Sequence, residues 1–200
     1  MFEPIGGGMQ IVSGSTAQLH PGLHASVGRY RHQVFVEKLG WDVPSQEDIE
    51  ADQFDRPDTI YIVGRDDQGH VCGCARLLPT TRPYLLGEVF PQLLNGLAPP
   101  ASPDVWELSR FAATDFNSQA TSALGRMSSE AAIALMRASI VCAAEQGAKR
   151  LIMVTNLGVE RLLRRAGFEA HRAGPPMVID GHPIFACWVF WPENAAPINC

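Results

Sequence analysis

The stretch from Ser128 to Ala173 constrains the fold more than any other part of the chain. Ala131, Leu135, Ala138 and Cys142 recur at three-to-four spacing, which marks one face of a helix, and Gly147 supplies the stop. The spacing predicts a helix over 128–146, then a buried strand over 149–155 whose centre is Leu-Ile-Met-Val. A second helix over 157–166 ends at Gly167, and a further strand follows over 168–173. Such an alternation belongs to an α/β domain.

Upstream, a short strand is predicted over 9–13 and an amphipathic helix over 22–39. Strands over 59–65 and 71–78 flank the turn Asp66-Asp67-Gln68-Gly69. Arg82-Pro83 and Pro91 punctuate a short helical passage, a strand covers 104–112, a loop runs through Gly125, and the strand over 184–190 completes the sheet. Strands first, then strand-helix-strand-helix-strand, imply a mixed twisted sheet with helices on both faces. This is the element order of the N-acetyltransferase superfamily, so the fold resembles that GNAT-like α/β/α sandwich. A single domain over 1–200 is expected, with loose ends at 1–8 and 195–200.

Bulk properties narrow the function classes. With 16 Lys+Arg against 21 Asp+Glu the net charge is -5, and without a basic stripe nucleic-acid binding is not expected. No apolar run is long enough to span a bilayer, and the N-terminus lacks a signal-like pattern, so a cytoplasmic protein is expected. The five cysteines form no disulfide or zinc framework and read as buried thiols, apart from Cys200. No phosphate loop, dinucleotide turn, nucleophile elbow or metal-binding histidine spacing is present, so neither metal nor cofactor is expected.

Three clusters could carry chemistry. Arg31, Phe35 and, past a Gly stop, Trp41 fall near one another; an arginine beside two aromatics can grip a carboxylate next to a flat or cationic group. Core aromatics beside a surface charge explain the same pattern. Asp52 and Asp55 flank Phe54 and could cap a loop, bind an ammonium, or order Arg31 or Arg76; Arg76 interrupts an otherwise apolar strand. Glu107 and Arg110 lie on the strand that also holds Trp106, Leu108 and Phe111, and alternation puts 107, 109 and 111 on one side. A carboxylate there is costly to bury unless paired or used. Arg161, Arg164 and Arg165 share one face of the last helix, with Lys149 and Arg150 close in sequence, as either a solvated face or a dock for an acidic partner.

Taken together, Arg31, Phe35, Trp41, Asp52, Asp55, Arg76, Glu107 and Arg110 resemble, in order and spacing, the acyl-homoserine lactone synthases, the LuxI-type autoinducer synthases. The resemblance extends from Val27 to Trp188, and the segments Cys72–Tyr84 and His171–Pro176 look most like the Burkholderia-type subgroup. It implies transfer of a fatty acyl chain from acyl carrier protein to the amine of S-adenosylmethionine, a substrate rather than a cofactor. Lactone closure then gives an N-acyl-homoserine lactone, a quorum-sensing signal, and methylthioadenosine. It further implies an S-adenosylmethionine site of Arg31, Phe35, Trp41, Asp52, Asp55 and Arg76, with the N-terminal segment ordering over the ligand. Glu107, with Arg110, would be the catalytic pair, Glu107 serving as general base.

On the same resemblance, Met136, Leu151, Met153, Thr155, Leu162 and Phe185 would line the acyl pocket, Thr155 matching the position that meets the acyl C3 substituent. A medium chain near octanoyl is implied by the subgroup, and Lys149, Arg150, Arg161, Arg164 and Arg165 would form the carrier-protein dock. Two alternatives are a coenzyme A-dependent N-acetyltransferase of the same fold and a non-catalytic ligand sensor. The first lacks its usual glycine-rich pyrophosphate turn in the loop 112–127, and the second gives Glu107 no purpose.

Overall fold

The computed structural model describes residues 9–116 and 129–192. The chain divides into two compact units, one of Met1–Arg76 with Arg110–Ala138 and one of Leu77–Ser109 with Ser139–Cys200.

In the first unit, strand β1 (Gln10–Ser15) pairs antiparallel with β4 (Ile60–Arg65), with Gln10 opposite Arg65 and Ser15 opposite Ile60. The order continues through the start of β5 (Val71–Pro79) to the end of β6 (Val105–Ala113). Helix α1 (Pro21–Arg31) begins with His20 accepting from the Gly22 N–H and with proline at its first position, where a missing N–H costs nothing.

The helix predicted over 22–39 does not stay regular. From His32 to Lys38 it widens into a π-helical stretch, with Leu39 N–H bonding Val34 O at 3.0 Å and Trp41 N–H bonding Phe35 O at 2.8 Å. The wider turn buries Val34 and Phe35 side by side, and Val27, Tyr30, Val34, Phe35, Tyr61, Val63 and Cys74 form one core cluster against which Trp41 packs.

A hairpin absent from the sequence reading follows, β2 (Ser45–Gln46) with β3 (Ile49–Glu50). Its two turn residues, Glu47 and Asp48, both adopt left-handed backbone (φ 50° and 61°), as a two-residue hairpin of matching twist requires. Neither is glycine or asparagine, which is why the turn left no signal. Gly28 of α1 lets β3 approach: a Cβ there would come within 2.6 Å of the Ile49 side chain.

In the second unit, the rest of β5 and β6 leads to β7 (Arg150–Thr155), β10 (His182–Phe190) and β8 (Glu169–Arg172), with β9 (Met177–Ile179) also on β10. β6 and β7 are parallel and the β10 pairings antiparallel, so the sheet is mixed. Helix α2 (Leu85–Val89) precedes β6, α3 (Ser129–Glu145) follows it, and α4 (Leu157–Arg165) starts at Asn156, whose side chain accepts from the Gly158 and Val159 N–H groups. No described helix is long and apolar enough to cross a membrane.

Candidate functional site

Three arginines and three carboxylates converge in the first unit. Arg31, the last residue of α1, donates from Nε to Glu50, and from Nη1 to Asp55 at 2.9 Å and to the Tyr61 hydroxyl at 3.0 Å. Arg76 of β5 donates to Asp52 at 2.6 and 3.0 Å and to Asp55 at 2.7 Å. Arg110 of β6 reaches Glu50 at 2.7 Å and Asp52 at 2.9 Å. The charges cancel, as they must where Arg31 is 2% exposed and Arg76 and Glu50 are 0% and 1%.

Burial alone would raise the Asp55 carboxyl, but Arg31 and Arg76 more than reverse it and hold it well below the usual carboxylate range. Burial, aided by Asp55, pushes the Tyr61 phenol up against the opposing pull of Arg31, so it stays a neutral donor to Asp55. Burial pushes the Cys74 thiol up to about 12.

Arg31 keeps one uncommitted nitrogen. Its Nη2 is buried and has no hydrogen-bond partner among the described residues. A buried donor without an acceptor costs about 1–3 kcal/mol, which a ligand oxygen would recover. Beside the cluster, Phe35 stacks on Trp41 with centroids 5.1 Å apart and planes 24° apart, and the Arg110 guanidinium lies 5.4 Å from the Phe35 ring. The sequence reading set Arg31 against these aromatics. In the structure Phe35 lies against Arg110, and Arg31 sits among carboxylates. Glu50 was missed altogether, although it stands two residues before Asp52, the spacing at which extended backbone points side chains the same way.

Arg110 itself has φ 51°, a left-handed conformation that is rare in non-glycine residues and breaks the alternation of β6. Four consecutive residues, 107–110, are buried. Its ion pairs with Glu50 and Asp52 hold it there.

Glu107 lies in the second unit at 0% exposure. One carboxylate oxygen accepts from the Leu86 N–H at 2.6 Å and the other from the Leu85 N–H at 3.0 Å, so the side chain anchors the first turn of α2. The register places Glu107 opposite Ile152, while Leu151, Met153 and Thr155 point to the other face together with Phe185, Cys187 and Val189. Glu107 and the expected acyl-pocket strand residues occupy opposite faces of the sheet. Leu162 of α4 is half-buried, and Met136 is buried on the part of α3 that belongs to the first unit.

A family model described as autoinducer synthase matches residues 19–193. The chain belongs to this family. The acyl-homoserine-lactone synthase of Acinetobacter nosocomialis is 54% identical over 181 residues, 90% of this chain and 99% of that protein. A crystal structure of TofI in a ternary complex with an inhibitor and MTA shares 48% identity at a TM-score of 0.79, covering 90% of this chain and 91% of that one. A CoA-dependent acyl-homoserine lactone synthase, BjaI with SAM and isopentyl-CoA, is 26% identical at a TM-score of 0.76, over 94% of this chain and 85% of that one. An acyl-CoA N-acyltransferase from Pseudomonas aeruginosa, at 15% identity and a TM-score of 0.58, shares the fold alone, over 90% of this chain and 98% of that one. This autoinducer synthase is therefore an acyltransferase with a GNAT-like fold.

The remaining expected site residues of the autoinducer synthase are on the surface of the second unit. Arg161 and Arg165 are exposed on α4, and Arg164 pairs with Glu160 at 3.2 Å. Lys149 lies 3.8 Å from Asp104, and the Arg150 guanidinium sits 5.2 Å from the Trp188 ring. The expected N-terminal cover at 1–8, the tail at 195–200 and most of the loop 112–127 fall outside the described residues.

Proposed function

We propose that this synthase moves a fatty acyl chain from acyl carrier protein to the α-amine of S-adenosylmethionine and then closes the lactone. The amine nitrogen adds to the thioester carbon; the C–S bond breaks, and the amine proton ends on the carrier thiol. The methionine carboxylate then attacks the carbon next to the sulfonium, breaking that C–S bond and releasing methylthioadenosine. The second step is intramolecular and favoured by orientation. Neither step needs a metal.

The observation that carries this reading is the orphan Nη2 of Arg31 in an otherwise fully paired cluster. It supports a carboxylate at that point, with Phe35 and Trp41 meeting the flat and cationic parts of the same ligand. Asp52, Asp55, Arg76, Arg110 and Glu50 hold Arg31 in place. TofI with MTA and BjaI with SAM are relatives whose bound molecules agree with this ligand chemistry. Glu107 is a positioning residue that fixes α2. The amine, with an ordinary pKa of about 7.7–8.0, loses its proton without it. Backbone N–H groups at the irregularity around Arg110 receive the oxyanion. The acyl chain lies on the Leu151, Met153, Thr155 and Phe185 face, and the cationic surface of α4 offers a dock for an acidic carrier.

Calorimetry with S-adenosylmethionine tests the reading. Wild-type protein should bind it, and Arg31→Lys, which loses a charge-assisted bond of about 1.5–3 kcal/mol, should bind it at least ~10-fold more weakly. No heat from folded wild-type protein, with or without thioester present, would remove the proposal.

A further inference from the structure

On the face of the second unit that holds Thr155 and Phe185, a buried carboxylate has no role in the reaction just described. Glu160 of α4 is 4% exposed. It accepts from Arg172 Nε at 2.9 Å and Arg172 Nη2 at 2.5 Å, a two-pronged grip, and from Arg164 Nη2 at 3.2 Å. The hydrogen bond from Arg172, aided by the charges of Arg172 and Arg164, holds its carboxyl below the ordinary range despite burial. The Arg172 guanidinium then lies 4.6 Å from the centre of the Phe185 ring.

The register explains the stack. Arg172 of β8 is opposite Cys187 of β10, Cys187 is opposite Met153 of β7, and Phe185 is opposite Thr155, so all five side chains share one face. Arg172 is 36% exposed at its side chain, while Phe185 is fully buried. The guanidinium therefore roofs the ring: its outer side meets water, its inner side the aromatic face, and Glu160 fixes its plane. A surface ion pair would do none of this, since both partners would be mobile and solvated.

We propose that Arg172, held by Glu160, is a positioning residue that fixes the Phe185 ring and so sets acyl-chain selection. The proposal rests on the reading that this face takes the acyl chain. A Phe185 ring locked beside Thr155, its cross-strand partner, would end the acyl site at a fixed depth. Without the roof the ring swings outward and longer chains fit. Lysine cannot replace arginine, because an ammonium offers neither the planar stack nor the two-pronged grip.

The test compares hexanoyl, octanoyl, decanoyl and dodecanoyl thioesters on wild type, Arg172→Ala, Arg172→Lys, Glu160→Gln and Phe185→Leu. The readouts are kcat/KM ratios between donors and the KM for S-adenosylmethionine. A general loss of folded protein cancels in these ratios. Arg172→Ala and Arg172→Lys should both shift the preference toward longer chains by ~10-fold or more, in line with ~10-fold per methylene as the lower range of such discrimination. Glu160→Gln should shift it the same way, Phe185→Leu at least as far, and the KM for S-adenosylmethionine should stay within about twofold. If Phe185→Leu changes selection while every Arg172 and Glu160 variant keeps wild-type ratios, the positioning role is wrong. If Phe185→Leu also keeps wild-type ratios, the acyl face itself is misassigned and the proposal falls with it. Where Arg172→Ala does not fold, Arg172→Lys and Glu160→Gln decide.

Discussion

Glu107→Gln removes the charge from a carboxylate whose oxygens accept the Leu85 and Leu86 N–H groups at 3.0 and 2.6 Å. Glutamine can keep one of these bonds through its carbonyl. Its amide nitrogen would face the other N–H, leaving two donors opposed in a site with 0% exposure. One charge-assisted bond to a backbone donor contributes about 1.5–3 kcal/mol, so the loss should be about 2–3 kcal/mol. For a chain of this size each kcal/mol lowers Tm by about 2–4 °C, which gives a fall of about 4–12 °C. Denaturant and thermal unfolding measure this directly.

The rate–pH profile separates the anchor from a base. An anchor lowers kcat/KM by one factor at every pH and leaves the acid limb in place, because that limb belongs to the substrate amine at about 7.7–8.0. A base contributes its own limb, which the amide variant would abolish. Unchanged stability together with a flattened profile would refute the anchoring role and return Glu107 to proton transfer.

Glu50→Gln leaves Arg31 and Arg110 short of a buried counter-charge and should cost about 3–5 kcal/mol, a Tm fall of about 6–20 °C; a change under ~1 kcal/mol would show the cluster tolerates imbalance. Because the folded Asp55 carboxyl is depressed, its stabilisation is complete above about pH 3.9 and is lost only as pH falls further. Tryptophan fluorescence should therefore hold steady from neutral pH down to about pH 4, and an unfolding midpoint near pH 5–6 would contradict this. Reversing Arg161 and Arg165 to Glu should raise the KM for acyl carrier protein by about tenfold with the KM for S-adenosylmethionine unchanged; an unchanged carrier KM would place the dock elsewhere.

Much of the sheet was legible because its strands are written as short apolar runs between glycine and proline punctuation. The β7 and β10 strands, Arg150–Thr155 and His182–Phe190, owe their clarity to burial on both faces, and α3 and α4 to glycines at their ends. The hairpin at 45–50 was not legible, since its turn uses Glu47 and Asp48 in backbone that sequence signals assign to glycine or asparagine. That omission hid Glu50, the carboxylate bridging Arg31 and Arg110. The eight site positions could be read from residue type and spacing, but not which charges face each other. Asp52 and Asp55 order Arg31, Arg76 and Arg110 at once, a three-dimensional fact set by a π-helical turn and by the left-handed Arg110. The side of the sheet taken by Glu107 follows from its register against Ile152, which alternation within one strand cannot supply.

Incubating the purified chain with isotopically labelled S-adenosylmethionine and a panel of acyl carrier protein thioesters tests the central claim most directly. Mass spectrometry should find labelled N-acyl-homoserine lactone and methylthioadenosine in equal amounts, with the carrier thiol released in step. Folded protein that consumes thioester without forming a lactone, or forms none from any donor, would contradict it.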